Sequence, residues 1–350
     1  MTWENTQLEK RMHDRLLSGE EISKSEGEEL YSSYITARRK VCEEILPEIK
    51  AIEKNLTDHG PAHIKNVLNN MHSLLEKDYE RISDIELYVL CLLALFHDVG
   101  NIHGRKGHYD KKVIFQIYDY VRGGDPKYDV ERNIVATIAS THSGKASDGS
   151  HDTIKQLTDT KTGFFGKGID SRKLAAILRL ADELAEGPQR TSNFMFLHHK
   201  YSSASMPFHR YAASKNVYID RGNGRIALTY IIKLNHKDRD PDFLAQDLSD
   251  TRELLEYIYK RIIKLNQERL YNKFYCNILG AFSVLSVSID FVIDGLPVDL
   301  GLKELIINDL QIPGEGHKQI TEFDRAYEIG KIMKTLTQKK QRNVRNKKSV

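Results

Sequence analysis

The sequence predicts a mainly α protein, in which a helical bundle is followed by a smaller α+β domain. Before about residue 195, apolar residues recur at the spacing of three and four that places them on one face of a helix. After about residue 196, alternating apolar and polar residues are typical of half-buried strands. We therefore predict four segments, namely N-terminal helices over 1–50, a helical domain over 51–195, an α+β domain over 196–338 and a basic tail over 339–350.

The composition indicates a globular protein without a membrane anchor. Apolar residues make up 40% of the 350 residues, which is enough for a sizeable core. The formal net charge of +3 is small for this length and does not by itself indicate a nucleic-acid partner. The most apolar stretch, residues 87–96, is about half as long as a membrane span. The charged N-terminus lacks a signal core and the three cysteines are far apart, so we expect a cytoplasmic location.

Four helices are predicted in the helical domain, at about 61–76, 84–98, 130–143 and 170–187. Proline suits the first helical position, so Pro61 opens the first of them and places His63 in the first turn. The second begins with a capping box at 83–86 and is apolar nearly all round, so it must be buried. Residues 144–169 are polar and glycine-rich, and we predict that they form a long loop.

The α+β domain is predicted to begin with a β-hairpin. Residues 217–230 alternate apolar and polar side chains on either side of Arg-Gly-Asn-Gly at 221–224. A long amphipathic helix is predicted at 243–271 and a further strand at 286–293. The apolar face of the long helix suggests a homo-oligomer, although it could equally pack within its own chain. The tail holds six Lys or Arg residues and no acid, and we expect it to be solvated.

Four side chains that can bind a metal ion lie at or near the ends of separate predicted helices: His63, His97, Asp98 and Asp182. Asp98 follows an apolar helix and Asp182 lies within one, and a buried carboxylate needs a partner. A mixed set of imidazole nitrogens and carboxylate oxygens suits Mn²⁺, Fe²⁺, Co²⁺, Ni²⁺ or Zn²⁺ better than Mg²⁺. We therefore predict that these four residues bind a divalent metal ion.

The same residues stand in three motifs that resemble those of the HD phosphohydrolase superfamily, namely DHGPAHIKNV at 58–67, HDVG at 97–100 and LAAILRLADEL at 174–184. Together with Arg105 and His108, these motifs are similar to HD domains of bacterial conflict and defence systems. The resemblance covers about residues 50–190 and implies a helical HD domain that hydrolyses a phosphoric ester or anhydride. It further implies a nucleotide substrate, either a deoxynucleoside triphosphate cut at its α-phosphorus or a cyclic nucleotide, and a protein partner from a defence system.

Two further histidines, His108 and His142, belong to the predicted site. In similar HD enzymes such histidines either bind a second metal ion or act as acid and anion-stabilising groups, and the spacing does not separate these roles. We favour a catalytic role for His108 as an acid for the leaving group, and a catalytic or second-metal role for His142. The only adjacent histidine pair follows the last aspartate, so one metal ion is the default. The isolated histidines are expected to be packed or solvated: His59, His72, His103 and His151.

Four basic residues are candidates to hold phosphate oxygens: Arg105, Lys106, Lys145 and Arg179. Arg105 is the first choice, and we predict a catalytic role for it. Three alternatives stay open beside a nucleoside triphosphate hydrolase, namely a cyclic-nucleotide phosphodiesterase, a nuclease on single-stranded nucleic acid and a non-catalytic nucleotide sensor. Intact ligand motifs argue against the sensor. The lack of a helicase motif and of a broad basic stripe argues against the nuclease, in which the basic tail would hold the strand.

Overall fold

The computed structural model describes residues 3–52, 57–104, 107–158, 164–198, 200–234, 241–309 and 319–348. The chain forms two compact units. The first comprises Met1–Ala185 and Tyr271–Ala281, and the second comprises Glu186–Leu270 and Phe282–Val350. The first unit is helical, whereas the second combines helices with a small sheet, so the predicted fold class is confirmed.

The first unit contains eight labelled helices among its described residues. They are α1 (Gln7–Leu16), α2 (Lys24–Lys40), α3 (Leu46–Ile52), α4 (Pro61–Leu75), α5 (Asp84–Phe96), α6 (Lys111–Arg122), α7 (Asp129–Ala139) and α8 (Ser171–Leu184). A π-helical turn, Val41–Ile45, joins α2 to α3. The predicted N-terminal helices, residues 1–50, belong to this unit. The sequence analysis did not predict α6. The predicted end of α7 at residue 143 is wrong by four residues.

Helix α5 is the core of the first unit. Every one of its residues is buried, and Ser83 forms the predicted capping box with Glu86. The stretch Asp84–His103 is long and apolar enough to cross a membrane, but 94% of its most apolar window is buried within the protein. This burial is that of a core helix rather than of a helix that faces lipid.

Helix α4 begins at Pro61, as predicted. The last turn of α8 is hydrogen-bonded to it. The Asn70 side chain on α4 donates a hydrogen bond of 2.9 Å to the Ala181 carbonyl on α8. Asn66, one turn earlier on α4, donates to the Ala185 carbonyl at 3.4 Å. These bonds fix the two helix segments that carry His63 and Asp182 beside each other.

A buried carboxylate stabilises the packing of α5, α6 and α7. Glu131 accepts hydrogen bonds from Tyr88 (2.7 Å), from Tyr118 and from the Arg122 guanidinium (2.5 Å). We expect Tyr88→Phe to lower the free energy of unfolding by about 1.5–3 kcal/mol, because it removes a buried hydrogen bond to a charged group. Urea unfolding of the two proteins measures this difference. Tyr120→Phe, at an exposed tyrosine of α6, is the control, and equal losses from both substitutions would contradict the role given to Glu131.

The second unit is built around a five-stranded sheet of β1 (Lys215–Asp220), β2 (Arg225–Leu234), β3 (Val284–Ile293), β4 (Leu296–Val298) and β5 (Leu305–Asn308). β2 pairs antiparallel with β1 and parallel with β3, and both β4 and β5 pair antiparallel with β3. The predicted hairpin and the predicted strand near residue 290 are therefore confirmed. The helices are α9 (Asn193–Leu197), α10 (Met206–Ser214), α12 (Ile320–Phe323) and α13 (Ile329–Lys348). The backbone of the predicted tail continues α13 as far as Lys348.

The predicted long helix is also confirmed and is longer than expected. Helix α11 spans Pro241–Tyr275, so it begins in the second unit and its last turn, from Tyr271, belongs to the first. The described part of the predicted loop 144–169 contains a short 3₁₀ turn, Ile154–Gln156, and an isolated bridge between Phe164 and Lys167.

Candidate metal centre

Three helices of the first unit bring the four predicted metal ligands together. His63 lies in the first turn of α4, His97 and Asp98 directly follow α5, and Asp182 lies in the last turn of α8. One possible ligand atom from each of the four lies within 4.8 Å of the others. We call these four residues the first ligand group.

The ligand atoms of this group converge on one point. Nε2 of His63 and Nε2 of His97 are 3.3 Å apart. Oδ1 of Asp182 lies 3.3 Å from His63 Nε2 and 3.6 Å from His97 Nε2. Oδ2 of Asp98 lies 3.5 Å and 3.2 Å from the same two nitrogens. Two imidazole nitrogens that face each other between two carboxylates form a set of donors that fits a divalent ion.

Backbone carbonyls orient the imidazole rings for this purpose. Nδ1 of His97 lies 3.0 Å from the Ala94 carbonyl oxygen, and Nδ1 of His142 lies 2.6 Å from the Ala139 carbonyl oxygen. A carbonyl only accepts hydrogen bonds, so Nδ1 carries the proton, and Nε2 of the neutral ring keeps its lone pair. Both rings therefore present Nε2 as a ligand atom.

Burial and charge shift the ionisation of the first ligand group in opposite directions. Burial disfavours the charged imidazolium of His97, but the Asp98 carboxylate, helped by Asp182, raises the pKa of His97 to about 10. Burial alone would raise the pKa of Asp98, whereas His97 and His59 hold it well below its usual range. The pKa of Asp182 is likewise held low, against burial, by hydrogen bonds from His63 and His97. Both acids are therefore carboxylates, as metal binding requires.

A second ligand group shares Asp98 with the first. Asp98, His108 and His142 also offer ligand atoms that lie within 4.8 Å of one another, and Nε2 of His142 is 3.6 Å from Oδ1 of Asp98. His108 is half-buried, and its Nε2 lies 2.6 Å from the Ser143 hydroxyl. The two predicted histidines are thus placed beside the first ligand group.

Gly100 explains how His108 reaches this position. A Cβ at residue 100 would lie 2.4 Å from the carbonyl oxygen of His108, which is too close for any other residue without a backbone shift. The glycine of the HDVG motif therefore allows the chain at 107–108 to pass against the segment that carries His97 and Asp98.

His59, which the sequence indicated to be packed or solvated, belongs to the site. Its Nδ1 lies 2.7 Å from Oδ2 of Asp98, the carboxylate oxygen that also faces His63 and His97. It lies in the short segment before α4, outside any periodic pattern. The only signal in the sequence is its position four residues before His63 in the DHGPAH motif.

We expect His59→Ala to weaken metal binding by about tenfold or more, because groups that hydrogen-bond a ligand typically contribute that much to metal affinity. Titration of the metal-free protein with Mn²⁺ measures the effect. His72→Ala is the matched control, since His72 is another partly buried histidine of the first unit but bonds the Tyr79 hydroxyl. Unchanged affinity in His59→Ala would rule out a supporting role for this residue.

The predicted phosphate-binding residues have different surroundings. Arg105 and Lys106 lie outside the described residues. Lys145 is exposed, two residues after Ser143. Arg179 is buried on α8, where it donates to the Thr153 hydroxyl at 2.9 Å and to the Thr141 carbonyl at 3.4 Å.

Comparison with known protein families agrees with this geometry. The family model of HD-CE, a family of HD domains, matches residues 53–264, which is more than half of the chain. The chain belongs to the HD-CE family. Both ligand groups of this HD-CE protein lie within the matched range, so the resemblance to HD domains is confirmed. No curated protein and no solved structure matches the sequence. A metal-binding HD domain of this kind indicates a metal-dependent hydrolase.

Proposed function

We propose that this HD-CE protein is a metal-dependent phosphohydrolase that acts on a nucleotide, with a (deoxy)nucleoside triphosphate as its substrate. The observation that carries the proposal is the convergence of two imidazole nitrogens and two ionised carboxylates in the first ligand group. The side chain of Asp182 is 25% exposed, so the group can be reached from solvent. The choice of a nucleotide is supported by the resemblance of the motifs to HD phosphohydrolases.

When bound, a divalent ion supplies a nucleophile from water near neutral pH and draws charge from a phosphoryl oxygen. The residues of the chain have separate tasks around it. The four residues of the first ligand group would hold this ion, and the bond from His59 orients Asp98 for that role. When no second ion is bound, His108, whose Nε2 lies beside the Ser143 hydroxyl, would hold a proton for the leaving group.

The geometry favours two ions over the single ion expected from the sequence. We propose that the second ligand group, Asp98, His108 and His142, holds another divalent ion more weakly. Three donors bind less tightly than four, and Asp98 would have to serve both ions. If His108 binds a metal ion in this way, it is not available as an acid, and the leaving group must take its proton from solvent.

Hydrolysis of a substrate panel tests the proposal. The panel contains dNTPs, NTPs, cyclic nucleotides and single-stranded DNA, each incubated with the full chain and Mn²⁺. We expect turnover of a nucleoside triphosphate and its loss in Asp182→Asn, which keeps the shape of the side chain but removes its charge. Glu183→Gln, at the neighbouring position of α8, is the matched control for a lost carboxylate outside both ligand groups.

The product separates the alternatives. Release of triphosphate places the cut at the α-phosphorus, whereas opening of a cyclic nucleotide or cutting of DNA assigns the enzyme to one of the other classes. Mn²⁺ binding without turnover of any compound would contradict the hydrolase and favour a nucleotide sensor. A cytoplasmic location, self-association and a partner from an antiviral defence system stay predictions that rest on the sequence alone.

A further inference from the structure

We propose that Thr153, Arg179, Tyr271 and Tyr275 are positioning residues for the second ligand group, because they hold the segment that carries His142. The proposal rests on the proposed function, in which His142 binds a metal ion. The four residues lie in three separate parts of the chain: the loop after α7, the middle of α8 and the last turn of α11. None of the four belongs to either ligand group.

His142 lies where the backbone leaves a helix. Helix α7 ends at Ala139, and the carbonyl of Ala139 accepts the bond from the His142 ring. Two residues further on, Gly144 has a φ of +88° and turns the chain away from the helix direction. Thr141 lies two residues beyond the end of the helix, so no further helical turn bonds its carbonyl. The carbonyl of Thr141, next to His142, therefore depends on groups from elsewhere in the chain.

Two buried side chains supply those groups. The Thr153 hydroxyl donates a hydrogen bond of 2.5 Å to the Thr141 carbonyl oxygen. The Arg179 guanidinium donates to the same oxygen at 3.4 Å and to the Thr153 hydroxyl at 2.9 Å. We call Thr153 and Arg179 the Thr141 clamp. Because both are at least nine-tenths buried, water cannot readily replace a bond that is lost.

The last turn of α11 contacts Arg179 of the Thr141 clamp and both sequence neighbours of Thr153. The Arg179 guanidinium lies over the Tyr271 ring, 4.8 Å from its centroid. The Tyr271 hydroxyl donates to Oδ1 of Asp152 at 2.9 Å and accepts a bond of 3.0 Å from the backbone N–H of Ile154. The Tyr275 hydroxyl donates to the same Asp152 oxygen at 2.7 Å. The two tyrosines thus fix the residues on both sides of Thr153.

These contacts make the second ligand group depend on the end of α11. The first ligand group stands on α4, α5 and α8, whereas His142 is placed through the Thr141 clamp and the two tyrosines. A change at the end of α11 is therefore expected to weaken the His142-dependent ion and to leave the first ion in place. The guanidinium of Arg179 supports the backbone in this way, and the phosphate contact expected from the sequence stays a prediction.

Mn²⁺ titration of the full chain tests the proposal, with electron paramagnetic resonance as the measure of the free ion. The variants are His142→Ala as a reference, a pair at Thr153, and a tyrosine pair on α11. His142→Ala first identifies the class of bound Mn²⁺ that depends on His142. Thr153→Val removes the hydroxyl at nearly constant shape and is expected to weaken that class about tenfold, and Thr153→Ser is expected to restore it. The double variant Tyr271→Phe/Tyr275→Phe is expected to act like Thr153→Val. Tyr259→Phe is its control, because the Tyr259 hydroxyl on the same helix bonds the Tyr327 carbonyl instead.

A wild-type titration curve for Thr153→Val and for the double variant would overturn the proposal. A loss of both classes of bound Mn²⁺ would also overturn it, because the effect would then be general unfolding or distortion. If His142→Ala itself leaves the curve unchanged, the second ion of the proposed function fails. Amide hydrogen exchange of residues 141–144 then decides the positioning role: faster exchange in Thr153→Val supports it, and unchanged exchange rejects it.

Discussion

Asp98→Asn is expected to abolish the binding of both proposed metal ions and to lower kcat/KM for the proposed hydrolysis by about a thousandfold or more. Asp98 is the one residue that both ligand groups share, and its two carboxylate oxygens face different histidines. Oδ2 lies beside His63 and His97, and Oδ1 faces His142. An amide has the same shape but lacks the charge that holds a cation and that raises the pKa of His97. The metal content of the dialysed variant, measured after loading with Mn²⁺, checks the prediction.

Two further variants show whether the loss is specific to the shared position. Asp182→Asn should lose the ion of the first ligand group and keep residual binding at the second, since Asp182 belongs only to the first. Asp84→Asn is the control for a buried aspartate of the same unit, because Asp84 pairs with Arg15 outside the site. Two ions per chain in Asp98→Asn would contradict a shared ligand. Loss of the native circular dichroism spectrum in Asp98→Asn, but not in Asp84→Asn, would point to misfolding as the cause.

The parts of the fold that follow from local rules could be predicted from the sequence. The capping box at Ser83 and the apolar run after it predicted α5 and its burial. Pro61 predicted the start of α4 and hence the place of His63. The glycines of the Arg-Gly-Asn-Gly turn predicted the hairpin of β1 and β2.

Helix α6 was not predicted, although its sequence contains the pattern of a helix. Asp110 caps its start and Gly123 its end, and the residues between them at helical spacing are Ile114, Ile117, Tyr118 and Val121.

The rest of the site depends on contacts between distant parts of the chain, which no local pattern reveals. His59 meets Asp98 across 39 residues, and Tyr271 meets Asp152 across 119. The ends of α7 differ from the prediction for a related reason. The apolar stripe stops at Ala139, where the helix ends, and beyond it the Thr141 carbonyl accepts hydrogen bonds from the side chains of Thr153 and Arg179. The sequence gives Arg179 only as a candidate to hold phosphate, and its contacts with Thr141 and Thr153 involve residues 26 or more positions away.

The affinity of the first ligand group for Mn²⁺ is expected to fall about tenfold for each pH unit below pH 9, or about 300-fold between pH 8.5 and pH 6. The cause is the pKa of His97, which the neighbouring carboxylates raise to about 10. Over this range the metal-free ring is protonated, so binding of one ion must release that proton. Calorimetric titration in buffers of different ionisation enthalpy measures the number of protons released, and we expect about one per ion at pH 7.5.

Affinities measured above pH 7.5 distinguish a raised pKa of His97 from an ordinary one. A histidine with an ordinary pKa of about 6.5 would be deprotonated there, and the affinity would no longer change with pH. A flat affinity between pH 7.5 and 8.5, together with no proton release, would therefore contradict the raised pKa of His97. His72→Ala should keep the slope of the wild type, because His72 lies outside both ligand groups.

The raised pKa of His97 makes the stability of the metal-free protein fall as the pH rises, whereas Mn²⁺ binding becomes stronger. A group whose pKa is higher in the folded state stabilises that state below its unfolded pKa, and this stabilisation is lost as the pH rises through the folded pKa. For His97 the contribution is complete below about pH 6.5 and is lost towards about pH 10. Binding of Mn²⁺ strengthens over the same interval and stabilises only the folded state. The increase in melting temperature on addition of Mn²⁺ should therefore grow steadily from pH 6 to pH 8.5, and Asp98→Asn should show no increase at any pH.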